Sequence, residues 1–356
     1  MDDQGCHGSA SSEAFFVGGS YVDSPVGAIM HGQMFVEVLH PDRRRHPWPI
    51  VLIHGSGLTG TCWMTTPDGR PGWANRLLDD GWCVAVVDQP TRGRSALHPS
   101  LHGPLRVMSP EKVEFLFTAS SKHLGWPGAE NHTQWPGAGH RGDPQFDAFY
   151  ASMVPYIPDA ESEWLMRAAG AALLDRIGPA VLLTHSQAGA FGWLIADARP
   201  DLTQGIVAVE PVGPPRDAVD LRGGTAVSHA PARPFGVTIA PLEYSPPVSE
   251  KSPLEFEGFA TDWAILGWRQ ATPARQLPNL KKIPTLVISA EASYHRMYDH
   301  LTVGFLRQAG VEVDHILLED RDIYGNGHMM MLEKNSDQIV DVISGWLERQ
   351  CSSIKR

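Results

Sequence analysis

The chain has few cysteines, no long apolar run and a deficit of positive charge. Only four cysteines occur in 356 residues (Cys6, Cys62, Cys83 and Cys351), and none has metal-ligand or C-x-x-C spacing. A zinc or dithiol redox site therefore has little support, and Cys83, inside an apolar run, reads as a small core residue. No stretch approaches the roughly 18 consecutive apolar residues of a membrane-spanning helix. With 29 Lys and Arg against 40 Asp and Glu, the net charge of −11 argues against nucleic acid or anionic membrane as a main partner. The one basic run, Arg43-Arg44-Arg45, lies between His40-Pro41 and His46-Pro47 and reads as a solvated turn. The chain starts Met-Asp-Asp-Gln-Gly-Cys, acidic and polar where an export signal needs positive charge and then an apolar stretch. A soluble cytoplasmic protein is the expectation. No internal repeat is found.

What the chain does have is a hydrophobic content of 42%, with 11 Trp and 12 Phe, enough for a substantial core. Apolar runs bounded by turn residues fall at 32–41, 49–55, 81–89, 179–186, 205–211, 284–291 and 313–320. Helical stretches are expected at 161–178, 187–198, near 296–309 and over 336–350. This alternation predicts an α/β fold, a mostly parallel sheet covered on both faces. Segments 96–160 and 212–280 are rich in Pro, Gly and aromatics and break the rhythm. They are expected to be lid-like insertions between core segments 1–95, 161–211 and 281–356.

The run "PIVLIHGSGLTG" (49–60) admits two chemistries. Gly55, Gly57 and Gly60 fit the dinucleotide fingerprint G-x-G-x-x-G, with Asp88 ending the next strand where a ribose-binding carboxylate would lie. That reading needs a helix starting within the glycines, to aim its amides at a pyrophosphate. Pro67, Gly69 and Pro71 stand in that helix's path, so none is expected before about Gly72. Read instead with His54, the loop is H-G-x-G, which places oxyanion-binding amides in hydrolases. That alternative demands a nucleophile elbow, then an acid, then a histidine.

The rest of the chain supplies them. "VLLTHSQAGAFGW" (181–193) runs a strand into Ser186 and on into helix-forming residues. The usual elbow glycines two before and two after the serine are here Thr184 and Ala188, with Gly189 one further on. His328 lies in a Gly-Asn-Gly loop between the last strand and the last helix. Two acids end strands: Glu210, whose direction Pro211 would set, and Glu291; Glu210 is preferred and Glu291 remains open. Trp126, Trp135, Trp263 and Trp268, in the two insertions, are candidates for lining an apolar pocket, or else pack the insertions themselves. Met329, Met330 and Met331 read as core filler on a helix that His328 begins. His98 and His102 read as loop histidines without a neighbouring acid, not as metal ligands.

These motifs resemble a small Ser–Glu–His branch of α/β-hydrolase carboxylesterases. The likeness rests on "FFVGG" (15–19), "TTPDGRPGW" (65–73), "VVDQPTRGRS" (86–95), "TQWP" (133–136) and "GNGHMMM" (325–331). It implies the α/β-hydrolase fold, with Ser186 as nucleophile, Glu210 as acid and His328 as base. The backbone amides of Ser56 and Gln187 would form the oxyanion hole, with His54, Gly55 and Gly57 supporting the loop. It further implies a small-molecule ester as substrate, no cofactor or metal, and a homodimer, which no residue pattern here demands. Two departures stand out. Ser56-Gly57 replaces adjacent cysteines of the family loop, and 212–280 is longer than in the family. The same three groups could also serve a lactonase, a C–C bond hydrolase or a biosynthetic cyclase, and a retired hydrolase fold could serve as a ligand-binding receptor.

Overall fold

A computed structural model of the chain describes residues 11–221, 227–263 and 265–353. Eight strands form one sheet: β1 (Ser12–Val22), β2 (Ile29–Leu39), β3 (Ile50–Ile53), β4 (Val84–Asp88), β5 (Ala180–His185), β6 (Thr203–Val209), and two more after the second insertion. That insertion contributes two hairpins, β7 (Asp217–Asp220) with β8 (Val227–Pro231), and β9 (Phe256–Phe259) with β10 (Gly267–Gln270). The last strands of the main sheet are β11 (Thr285–Ser289) and β12 (Val313–Leu317), and its order is β1-β2-β4-β3-β5-β6-β11-β12. From β4 to β12 across the sheet, all neighbours are parallel. β1 and β2 add an antiparallel edge.

The strand patterns follow from burial. β3, β4, β5 and β11 are buried along their whole length, as parallel strands covered on both faces must be. In β3, Ile50 and Leu52 face a core shared with Trp63, Trp73 and Trp346, while Val51 and Ile53 face one shared with Leu173 and Phe191. The helix Asp159–Ile177 packs beside the helix Ala188–Ala198, and the helix Ser336–Ser353 beside the helix Trp73–Asp79. No helix of the described residues is long and apolar enough to cross a membrane.

Several elements depart from the sequence reading. β1 is almost wholly exposed, so no apolar period announces it. It forms because its backbone pairs with β2 from Ser12↔Leu39 to Val22↔Ile29. The expected strand at 313–320 ends at Leu317 and passes into a 3-10 turn, Leu318–Arg321. Segment 96–160 holds short helical turns, the longest Pro144–Ala151, begun by Asp143, whose carboxylate accepts from the Phe146 amide. Such brief elements carry too few turns to show a period. Met329–Met331 lie in turns ahead of the last helix rather than on it, because the helix begins only at Ser336.

Candidate active site

The loops that follow β3, β5, β6 and β11, together with the His328 loop, meet at the carboxyl edge of the sheet, where open α/β sheets place their ligands. After β3, Gly60 does not open a dinucleotide helix: Thr61–Met64 is a single turn, and the next helix starts at Trp73. Asp88 is engaged in holding that loop. It accepts from the amides of Gly60 (2.7 Å) and Arg94 (2.9 Å) and from Arg94 Nε (2.7 Å), and so is not placed for a ribose.

The β3 loop is instead wired against the elbow. His54 is fully buried, and burial pushes its pKa down to about 3, so it is a neutral imidazole. Its Nε2 accepts from the Gln89 amide (3.1 Å), which leaves Nδ1–H to donate to the Gly55 carbonyl (3.1 Å). Arg92 donates through Nη1 to that carbonyl and through Nη2 to Gln187 Oε1, each at 2.7 Å. In a trans peptide the C=O and the next N–H point oppositely, so pinning Gly55 O turns the Ser56 amide the other way. A Cβ on Gly55 would lie 2.9 Å from His185 Nδ1 and 3.0 Å from Ser186 Cβ, so only glycine lets the two loops approach. Hydrogen bonds thus stiffen this loop where adjacent cysteines are absent.

Ser186 turns the chain from β5 into the helix Ala188–Ala198 with φ 56, a left-handed conformation that a serine adopts under strain. The elbow works without its usual glycines because Gly189 makes the close approach: a Cβ there would lie 2.4 Å from Pro211 Cβ. Among the described residues the amides of Ser56 and Gln187 donate to nothing, and both residues flank the same cavity as Ser186.

Glu210 also has positive φ (43) and is fully buried. Its Oε1 accepts from the Ala290 amide (2.9 Å), and its Oε2 from Ser293 Oγ and His328 Nδ1, both at 2.6 Å. Desolvation pushes its carboxyl up to about 8, against the pull of His295 and these donors. Desolvation likewise holds His328 well below 6.5, helped by the neighbouring His295 and His185 rings. The other acid, Glu291, accepts from the Gly325 amide (2.9 Å) and so ties down the loop rather than the imidazole. Among the described residues His328 Nε2 is buried without a partner; His328 and Ser186 line one cavity, with no hydrogen bond between Nε2 and Ser186 Oγ. Such bonds are commonly open until a substrate is seated.

Sequence reasoning missed much of the support. Buried Glu333 accepts from the Gly327 amide (2.9 Å), Asn326 Nδ2 (2.7 Å) and His132 Nε2 (2.8 Å), tying the His328 loop to segment 96–160. His185 Nε2 donates to the His328 carbonyl (2.9 Å). His295, paired with Asp299 at 3.0 Å, stacks flat on His328 with centroids 4.4 Å apart. The one available signal was position: "DQPTR" and "EASYH" put polar residues directly after buried strands. Glu210, His295 and His328 bring ligand-type atoms within 4.8 Å of one another, yet both Glu210 oxygens already accept hydrogen bonds.

The cavity holds about 520 Å³ and is walled by Leu58, Met108, Phe117, Tyr156, Ile239 and Tyr294 among others. None of the four candidate tryptophans lines it, which corrects that expectation. Trp126 donates to the Ala292 carbonyl (3.0 Å) and packs with Trp263 in a small core, and Trp135 packs on Phe149. Trp268 donates to Asp217 Oδ2 (2.7 Å) beneath the Arg216 guanidinium. Trp135 and Trp126 thereby pack the insertions onto the core of the fold rather than lining the cavity. Met330 and Met331 are core, whereas Met329 also lines the cavity. His102 does have an acid, Glu161 at 2.6 Å, which only folding brings near.

The profile of the alpha/beta hydrolase family matches residues 50–342. The chain belongs to that family. This alpha/beta hydrolase is 44% identical over 353 residues to a protein named "Probable secreted lipase phiG" from Fungal sp. (strain ATCC 74256), covering 96% of this chain and 91% of that one. It also superposes, with TM-score 0.66 and 24% identity, on a structure described as a novel bacterial esterase, over 99% of both chains. That likeness establishes the fold. The relative's name overturns the cytoplasmic expectation, since it describes a secreted protein similar along almost the whole length. The inference failed because composition does not separate the two settings: a polar surface and the lack of an apolar span serve both alike. The first ten residues, on which that reading leaned, lie outside the described residues.

Proposed function

We propose that this alpha/beta hydrolase cleaves carboxylic esters through an acyl-enzyme on Ser186. The observation that carries the reading is the 2.6 Å bond from His328 Nδ1 to Glu210 Oε2, which leaves Nε2 without a partner among the described residues, on a side chain that lines the same cavity as Ser186. Ser186 Oγ attacks the ester carbonyl carbon as Nε2 takes its proton, and the carbonyl electron pair moves onto oxygen. The free amides of Ser56 and Gln187 receive that oxyanion; losing one such donor typically costs about 3–4 kcal/mol. The tetrahedral intermediate collapses, the alkoxide leaves with the proton from Nε2, and water deacylates Ser186 by the same route. Glu210 fixes the imidazole tautomer and stabilises the imidazolium.

The similarity to a protein named a lipase agrees with this reaction, and with a setting outside the cell. Segments 96–160 and 212–280 are proposed to cover the site, a reading supported by the cavity walls that each supplies, Met108 and Phe117 from one and Ala218 and Ile239 from the other. The test is Ser186→Ala. A fluorophosphonate probe should label the native protein and not the variant, and turnover of 4-nitrophenyl butyrate should vanish while the melting temperature stays. Undiminished turnover by the variant would refute the assignment.

A further inference from the structure

Arg233 follows β8 and is 6% exposed, yet no carboxylate among the described residues pairs with it. Its Nε and Nη2 donate to the Pro214 carbonyl (3.1 and 2.8 Å), and Nη2 donates also to the Asp217 carbonyl. Among the described residues Nη1 makes no hydrogen bond, and the residue lines the cavity that holds Ser186 and His328. The other cations there are accounted for: Arg106 is paired with Asp159, and Lys112 is exposed to water. A buried cation held only by carbonyl dipoles is costly unless a counter-charge reaches it. Dipoles at Pro214 and Asp217 orient the guanidinium, and Glu163, Asp159 and Asp217 favour its charge without forming an ion pair with it among the described residues.

Of the acids on the cavity wall, Asp159 is paired with Arg106, and Glu163 does not fill that role either. Its Oε2 accepts from the amides of Ile239 and Ala240, both at 2.7 Å, and Oε1 has no hydrogen bond among the described residues. Burial lifts its carboxyl to about 7, toward the neutral form, which can itself donate. One unpaired guanidinium beside such a group matches a planar monoanion. A phosphate dianion would want a cluster of cations, which this wall lacks.

We propose that the ester accepted by this cavity carries a free carboxylate, which seats against Nη1 of Arg233 while the scissile carbonyl meets Ser186. This rests on the ester-hydrolase reading above and names its substrate class. The acid can sit on either side of the ester bond, so two matched pairs test it. 4-Nitrophenyl hydrogen adipate against 4-nitrophenyl methyl adipate places the charge on the acyl side. 4-Butyryloxybenzoate against its methyl ester places it on the alcohol side.

In the native protein, kcat/KM on at least one pair should favour the acid by about tenfold to a hundredfold, the range expected for a charge-assisted hydrogen bond. The acid-to-ester ratio should fall toward one in Arg233→Met and recover in part in Arg233→Lys, whose ammonium keeps the charge but not the fork. The methyl ester absorbs any general damage, so the ratio isolates the anion site. A native ratio at or below one on both pairs overturns the proposal, as does a ratio that survives in Arg233→Met. Should Arg233→Met fail to fold, seen as lost fluorophosphonate labelling, the native ratios decide alone. Failure of the ester-hydrolase reading looks different: no ester of either kind is turned over and Ser186 is not labelled.

Discussion

Arg92 offers the sharpest test of how this site is built. Its guanidinium is buried and makes two 2.7 Å bonds, to Gly55 O on the loop after β3 and to Gln187 Oε1 just after the elbow. Gln187 is further held by its Nε2 donating to Asp159 Oδ1 at 2.5 Å. The two residues whose amides are free, Ser56 and Gln187, are therefore set by one side chain. Arg92→Met removes both bonds and the cation. If the Ser56 amide alone drifts out of line, the loss is that of one oxyanion donor, about 3–4 kcal/mol, or a hundredfold to a thousandfold in kcat. KM should move less than about threefold, because in the proposed mechanism those amides contact charge that exists only in the transition state. Gly55 O retains the His54 Nδ1 and Leu58 amide donors, so the stability loss should stay at about 1–3 kcal/mol. Arg92→Lys should recover only part, since an ammonium is a point charge that does not reproduce the two-armed fork. The assay is kcat and KM on 4-nitrophenyl butyrate, with the melting temperature followed in parallel. A folded Arg92→Met variant whose kcat lies within threefold of the native value would show that the two loops hold themselves, and the reasoning would be wrong.

Two further outcomes are expected. Glu210→Gln should lower kcat severely while Glu291→Gln lowers mainly stability, because Glu210 bonds His328 and Glu291 bonds the Gly325 amide; the reverse order would exchange their roles. The profile of kcat/KM against pH should rise through the deprotonation of the Glu210–His328 pair, whose carboxyl is pushed up to about 8 by burial. Ser293 Oγ donates to the charged carboxylate, so Ser293→Ala should move that limb to higher pH; a limb that stays put would remove Ser293 from the relay.

Much of the site was legible in the residues. The strand-to-serine run ending at Ser186, the loop starting at His54 and the late His328 follow from local pattern and order along the chain. So did the failure of the dinucleotide reading, because Pro67 and Pro71 act on their own backbone and need no partner. Burial of β3, β4, β5 and β11 is likewise written in continuous apolar runs.

Folding alone decided the rest, wherever a residue's role depends on a partner distant in the chain. Glu210 and Glu291 both follow strands and look alike in sequence, but the separation of 118 positions from Glu210 to His328 is closed only by the sheet order. β1 carries no period because its order comes from pairing with β2. The tryptophans of the insertions are large and apolar, which predicts burial but not which cavity they bury against. Arg92 and Arg233 read as ordinary charges until their surroundings are known, since dehydration of a cation is a property of the packed interior and of no local stretch of chain.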